Sequence, residues 1–182
     1  MRIQRGACER FSIRMTNHRA LRIFVVEDEA LLLMQLEALL AAAGHHVVAT
    51  AMSTHEALAR IPTLKADLAF VDLRLGDDDG GLLVGRQLAR TARMPFVFVT
   101  ANERRIPVDE DPGPLPPDAG DNDAGGDYAG AMGVIAKPYT VHGLQTALDF
   151  LGEAVQLPFP RRAPPESLFV TPAYAARWQI PG

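Results

Sequence analysis

The chain has 182 residues, 48% hydrophobic and 22% charged, with 18 Lys and Arg against 22 Asp and Glu for a formal charge of −4. These are globular proportions that exclude wholesale disorder and a fibrous repeat, and the longest apolar run, Ala38 to Gly44, stops at His45 and His46, well short of the ~20 residues of a bilayer span. The single cysteine, Cys8, excludes an intramolecular disulfide and a multi-cysteine metal site, and fits a reducing cytoplasm.

Residues 1–20 carry Arg2, Arg5, Arg10, Arg14 and Arg19 against Glu9 alone. No apolar segment of signal-peptide length follows, so this stretch reads as a basic flexible tail. Met15 is an alternative start to Met1. From Leu21 the pattern becomes regular. Arg22-Ile23-Phe24-Val25-Val26 is a buried parallel strand by composition, ended by Glu27-Asp28-Glu29. The Leu/Ala-rich stretch 30–43 is a helix stopped by Gly44. Residues 47–51 form the second strand, and Ser53 with Glu56 makes a capping-box signature ahead of a short helix that Pro62 breaks. Residues 68–71 are the third strand, the run Gly76-Asp77-Asp78-Asp79-Gly80-Gly81 a loop, and 82–92 a helix. Phe96-Val97-Phe98-Val99 and Val134-Ile135-Ala136 are the fourth and fifth strands, and Thr140 caps a last amphipathic helix through Leu144, Leu148 and Leu151.

Two segments break this alternation. Residues 103–130 hold five prolines, five glycines and eight acids against Arg104 and Arg105, an acidic insert too long for an ordinary connection. Residues 156–182 form a Pro-rich tail, in which Thr171-Pro172 opens a short helical reading with Tyr174 and Trp178 on one face, either a docking helix or a floppy end. Strands alternating with helices argue for a parallel sheet with helices on both faces and a ligand site beyond the strands' carboxyl ends.

The informative residues stand at those ends: Glu27 and Asp28, Asp72, Thr100 and Lys137. Three carboxylates gathered by the sheet repel one another unless a cation intervenes. Mg²⁺ takes carboxylate and water ligands and leaves room for a phosphate. An aspartate can act as nucleophile toward phosphorus, and a hydroxyl and an ammonium suit the phosphoryl oxygens. Lys137 is one of two lysines beside sixteen arginines.

The ordered set Phe24-Val25-Val26-Glu27-Asp28-Glu29, Phe70-Val71-Asp72-Leu73 with Gly80 eight residues on, Val99-Thr100-Ala101 and Lys137-Pro138 resembles the receiver domain of two-component response regulators. The resemblance covers residues 21–155. It implies a doubly wound five-stranded parallel α/β sheet of flavodoxin-like order 2-1-3-4-5, with the fourth helix missing or remodelled where the acidic insert lies. By the same resemblance Asp72 is the phosphoacceptor, Glu27 and Asp28 organise Mg²⁺ with Asp72 and the backbone carbonyl of Arg74, and Thr100 and Lys137 serve the phosphoryl group. Pro138 follows a cis bond. The family's aromatic switch position, three before Lys137, is Val134 here, and Thr100 is its partner in the switch.

The expected function is a stand-alone, single-domain response regulator in a phosphorelay, cytoplasmic and not an enzyme. Its partners would be a sensor histidine kinase or histidine phosphotransfer protein and a downstream protein, with no direct nucleic acid and no membrane. A receiver-fold interaction module that works without phosphate is the alternative. A metal-dependent phosphotransfer enzyme ranks behind both, because Asp72-Leu73-Arg74 lacks a second aspartate. His45, His46, His55 and His142 show no ligand spacing and read as structural or surface residues.

Overall fold

In a computed structural model, which describes residues 19–76, 80–101 and 130–179, the apolar runs become a six-stranded sheet. In chain order the elements are β1 (Arg22–Val26), α1 (Ala30–Ala42), β2 (His46–Ala51), α2 (Thr54–Arg60), β3 (Leu68–Asp72), α3 (Gly80–Gln87), β4 (Phe96–Thr100), β5 (Gly133–Ala136), α4 (Val141–Gln156), β6 (Phe169–Val170) and α5 (Pro172–Trp178). The strand order is β2-β1-β3-β4-β5-β6. The first five strands are parallel, in the doubly wound flavodoxin-like order expected. β6 is an antiparallel addition that the sequence reading lacks, since two residues are too few to show a periodicity.

Alternation along each strand divides the core in two. Ile23 and Val25, Phe70, Val97 and Val99, and Ile135 meet Leu33, Leu36 and Leu40 of α1, Leu144, Leu148 and Leu151 of α4, and Trp178 of α5. Phe24 and Val26, Val71, Phe96 and Phe98, and Val134 meet Ala57 of α2 and Val84 of α3 on the other face. With both faces covered, strands β3 and β4 are buried along their whole length, as a parallel sheet requires.

Local signals act as read. The Ser53 hydroxyl accepts the Glu56 amide at 3.2 Å while the Glu56 carboxylate accepts the Met52 amide at 2.9 Å. Gly44 takes a left-handed φ of 85° after α1. The helix expected over 82–92 differs: it starts at Gly80 and its last turn, Leu88–Ala92, is a π-turn ending on Arg93 at φ 46°. The basic tail but for Arg19 and Ala20, the acidic insert but for Gly130, and with it the expected absence of a fourth helix fall outside the described residues. Among the described residues no helix is long and apolar enough to cross a membrane.

Beyond α4 the chain folds back. The buried Glu153 carboxylate accepts the Arg161 amide at 2.9 Å, the Arg162 amide at 3.1 Å and Arg162 Nε at 2.8 Å. Burial alone would raise its pKa, but these amides and the Arg162 charge outweigh it and hold the group below the ordinary range. A depressed folded-state pKa means stability that is present above the unfolded value of about 4.3 and lost as pH falls through the folded one. Glu153→Gln is therefore expected to lower urea-unfolding stability by about 1–3 kcal/mol at pH 7, with the gap to the parent chain closing in acid. An equal difference at both pH values would show that charge plays no part.

Candidate functional site

The carboxyl ends of β1, β3, β4 and β5 place Glu27, Asp72, Thr100 and Lys137 side by side in the order of the sheet. Glu27 is 2%, Asp72 8% and Thr100 1% exposed, while Asp28 is open to solvent. Lys137 Nζ donates to Glu27 Oε2 and to Asp72 Oδ2, each at 2.6 Å. The second Asp72 oxygen, Oδ1, accepts the Arg74 amide at 2.9 Å, and the Lys137 amide donates to the Thr100 carbonyl at 2.7 Å. The Lys137-Pro138 bond is cis.

Burial raises the Glu27 carboxyl above the ordinary carboxylate range, against the opposing hydrogen bond and charge of Lys137. Burial would lower the Lys137 ammonium, yet its bonds to Asp72 and Glu27 and their charges more than reverse this. Lys137 thus stays cationic and ties two buried carboxylates together. Tyr139, half-buried beside this cluster, has its phenol pushed up by burial.

Glu27, Asp28 and Asp72 each offer one oxygen, and these atoms lie within 4.8 Å of one another. One ammonium against three carboxylates leaves negative charge over, and an all-oxygen, all-carboxylate donor set suits a hard divalent cation. The residues therefore fit Mg²⁺. Asp28 is engaged from another side as well: the amide of Gly76, at φ 70°, donates to its Oδ2 at 2.7 Å, tying the β3–α3 loop to the acidic pair.

Of the residues read from the sequence, Glu27, Asp28, Asp72, Thr100 and Lys137 come together here, and Val134 of the switch pair does not. Thr100 is in the pocket, whereas Val134 lies two residues back along the sheet, 3% exposed, between Phe98 and Phe169 on the α2–α3 face. Gly81 is a residue the sequence reading passed over in favour of Gly80. A Cβ on Gly81 would press on the Asp72 carbonyl oxygen and stand 2.6 Å from that of Leu73, so α3 approaches the backbone of Asp72 only because this position is bare. The signal was the doublet Gly80-Gly81.

The family profile described as the response regulator receiver domain matches residues 23–109. The phyllosphere-induced regulator PhyR of Methylorubrum extorquens is 35% identical over 96 residues, 52% of this chain and 36% of that protein. The transcriptional regulatory protein PdtaR of Mycobacterium tuberculosis is 29% identical over 128 residues, 70% of this chain and 55% of that one. The crystal structure of the response regulator PhyR from Brucella abortus superposes with a TM-score of 0.59 at 25% identity, covering 78% of this chain and 52% of that one. The chain thus spans between about a third and somewhat over half the length of these relatives.

Proposed function

This chain carries a receiver domain of the response regulator family, and from that premise we propose that it accepts a phosphoryl group on Asp72 and signals by protein contact. The observation that carries the reading is Lys137 Nζ held at 2.6 Å from both Glu27 and Asp72, with Asp28 beside them. Asp72 offers a carboxylate oxygen as nucleophile, and the ammonium bonded to it is in place to receive the incoming phosphate.

In the proposed step an Asp72 carboxylate oxygen forms a bond to phosphorus as the P–N bond of a donor phosphohistidine breaks. The electron pair returns to the imidazole nitrogen. Lys137 then moves from the carboxylate to a phosphoryl oxygen, and Thr100 hydrogen-bonds another. Glu27, Asp28, Asp72 and the Arg74 carbonyl would hold Mg²⁺, which when bound supplies charge neutralisation at the phosphoryl oxygens. Thr100 and Val134 are the pair through which the pocket would reach β5. The donor is a sensor histidine kinase or a histidine phosphotransfer protein, and the receiver of the signal is a further protein.

Purified chain mixed with ³²P-labelled histidine kinases or histidine phosphotransfer proteins tests this. Label appearing on the chain with Mg²⁺ and absent with chelator is the expected result. A folded chain that no donor labels would favour an interaction module working without phosphate. The Arg74 side chain is exposed two residues past Asp72, and we propose that it obstructs the approach of water to an acyl phosphate there. Arg74→Ala is accordingly expected to shorten the lifetime of the labelled protein in a chase experiment; an equal or longer lifetime would show that Arg74 does not shield the bond.

A further inference from the structure

β5 is tied to β4 through four residue pairs but to β6 through two, Gly133 with Val170 and Val134 with Phe169. Thr171, 1% exposed, completes that attachment: its Oγ1 donates to the Ala131 carbonyl at 2.7 Å and its amide to the Met132 carbonyl at 3.1 Å. Gly133 makes room for it, since a Cβ there would lie 2.6 Å from the Phe169 carbonyl oxygen. Past Thr171, α5 sets Trp178 edge-on against Phe150 of α4, with ring centroids 5.6 Å apart, and Leu168 and Tyr174 pack into the same cluster. These attachments to the sheet fall on residues 131–134. Three residues beyond Val134, the same strand delivers Lys137 to Asp72 and Glu27.

We infer that residues 168–178 are a displaceable strap over the β5 edge, released when Asp72 is phosphorylated, and that the uncovered edge takes an extended apolar segment of a partner protein leading into an aromatic-bearing helix. The inference rests on Asp72 being the phosphoacceptor. A phosphoryl group on Asp72 draws Lys137 off the carboxylate, and β5 shifts with it. A strand held by four pairs on one side and two on the other keeps its longer partner and slips on the shorter. Release leaves the carbonyl groups of Ala131 and Met132 without their Thr171 donors and opens the cluster around Met132 and Phe150, needs that an added strand meets. The strap itself is the template for such a ligand: apolar strand, hydroxyl peg, aromatic helix.

Trp178 is the single tryptophan of the chain, so its emission reports the strap alone. The full chain, treated with acetyl phosphate and Mg²⁺, is followed by intact mass, by Trp178 emission, by amide exchange over 131–134 and by binding of a fluorescent peptide of residues 166–182. Phosphorylated chain is expected to show red-shifted emission, with exchange and peptide affinity each raised about fivefold or more, the low end of usual coupling. Thr171→Val, which keeps the side chain's shape but loses its bond to Ala131, is expected to bind the phosphoryl mimic beryllofluoride more tightly by reciprocity; an unchanged affinity counts against the strap. Phosphorylation by mass with unchanged emission, exchange and peptide affinity overturns the strap and leaves the phosphoacceptor reading standing. Absence of any phosphoryl group overturns that reading and the inference with it. A phosphorylated dimer that ignores the peptide overturns the assignment of the edge to a partner's segment.

Discussion

Asp72→Asn is expected to reduce phosphoryl labelling to background with every donor, while the chain stays folded. The amide is the same size, and its single oxygen keeps one of the two bonds that orient Asp72, from Lys137 Nζ to one carboxylate oxygen and from the Arg74 amide to the other. What it lacks is an anionic oxygen able to bond to phosphorus. The parent chain is expected to lose label in chelator too, because Glu27, Asp28 and Asp72 gather negative charge where a phosphate must arrive. The measurement is incorporation per mole of folded protein, with the thermal midpoint as the control on folding. Undiminished label on the Asp72→Asn variant would move the phosphoacceptor elsewhere.

Lys137→Ala has the larger expected effect on stability. The side chains of Glu27 and Asp72 are 3% and 10% exposed, and the ammonium is the cation that bridges them. Removing one partner of a buried ion pair leaves uncompensated charge, and such losses run to about 3–5 kcal/mol. Denaturant unfolding in chelator should show a loss of that order. A divalent cation bound by the same carboxylates returns part of it, about 2.7 kcal/mol at a hundredfold excess over its dissociation constant. Equal stability of the variant and parent in chelator would mean that Lys137 does not hold these carboxylates together.

The pocket was legible because its residues sit where strands stop. Asp72 and Thr100 each close a run of buried apolar residues and Lys137 follows one, so one-dimensional alternation was enough to put them on one rim. The order of the sheet followed from the motif set, since no local feature of β1 says that it lies between β2 and β3. What stayed hidden depends on contacts between distant segments. β6 is a strand only because Gly133 leaves space for its carbonyl, and Glu153 looks like an ordinary helix-face acid until residues 161 and 162 turn back onto it. Gly81 matters through the backbone of Asp72, nine residues earlier, and a glycine doublet does not say which member makes the approach.

The sixth strand also decides how copies of this chain can assemble. A sheet with two bare edges can add neighbours at both and grow into an open filament, whereas a sheet with one can at most close a pair. Here the edges are β2, six residues long, and β6, two residues long, and among the described residues no strand pairs with the outer side of either. A two-residue edge offers few groups to pair with, so edge pairing favours two copies joined at β2, and a chain cut short before Leu168 exposes the four-residue edge of β5 in its place.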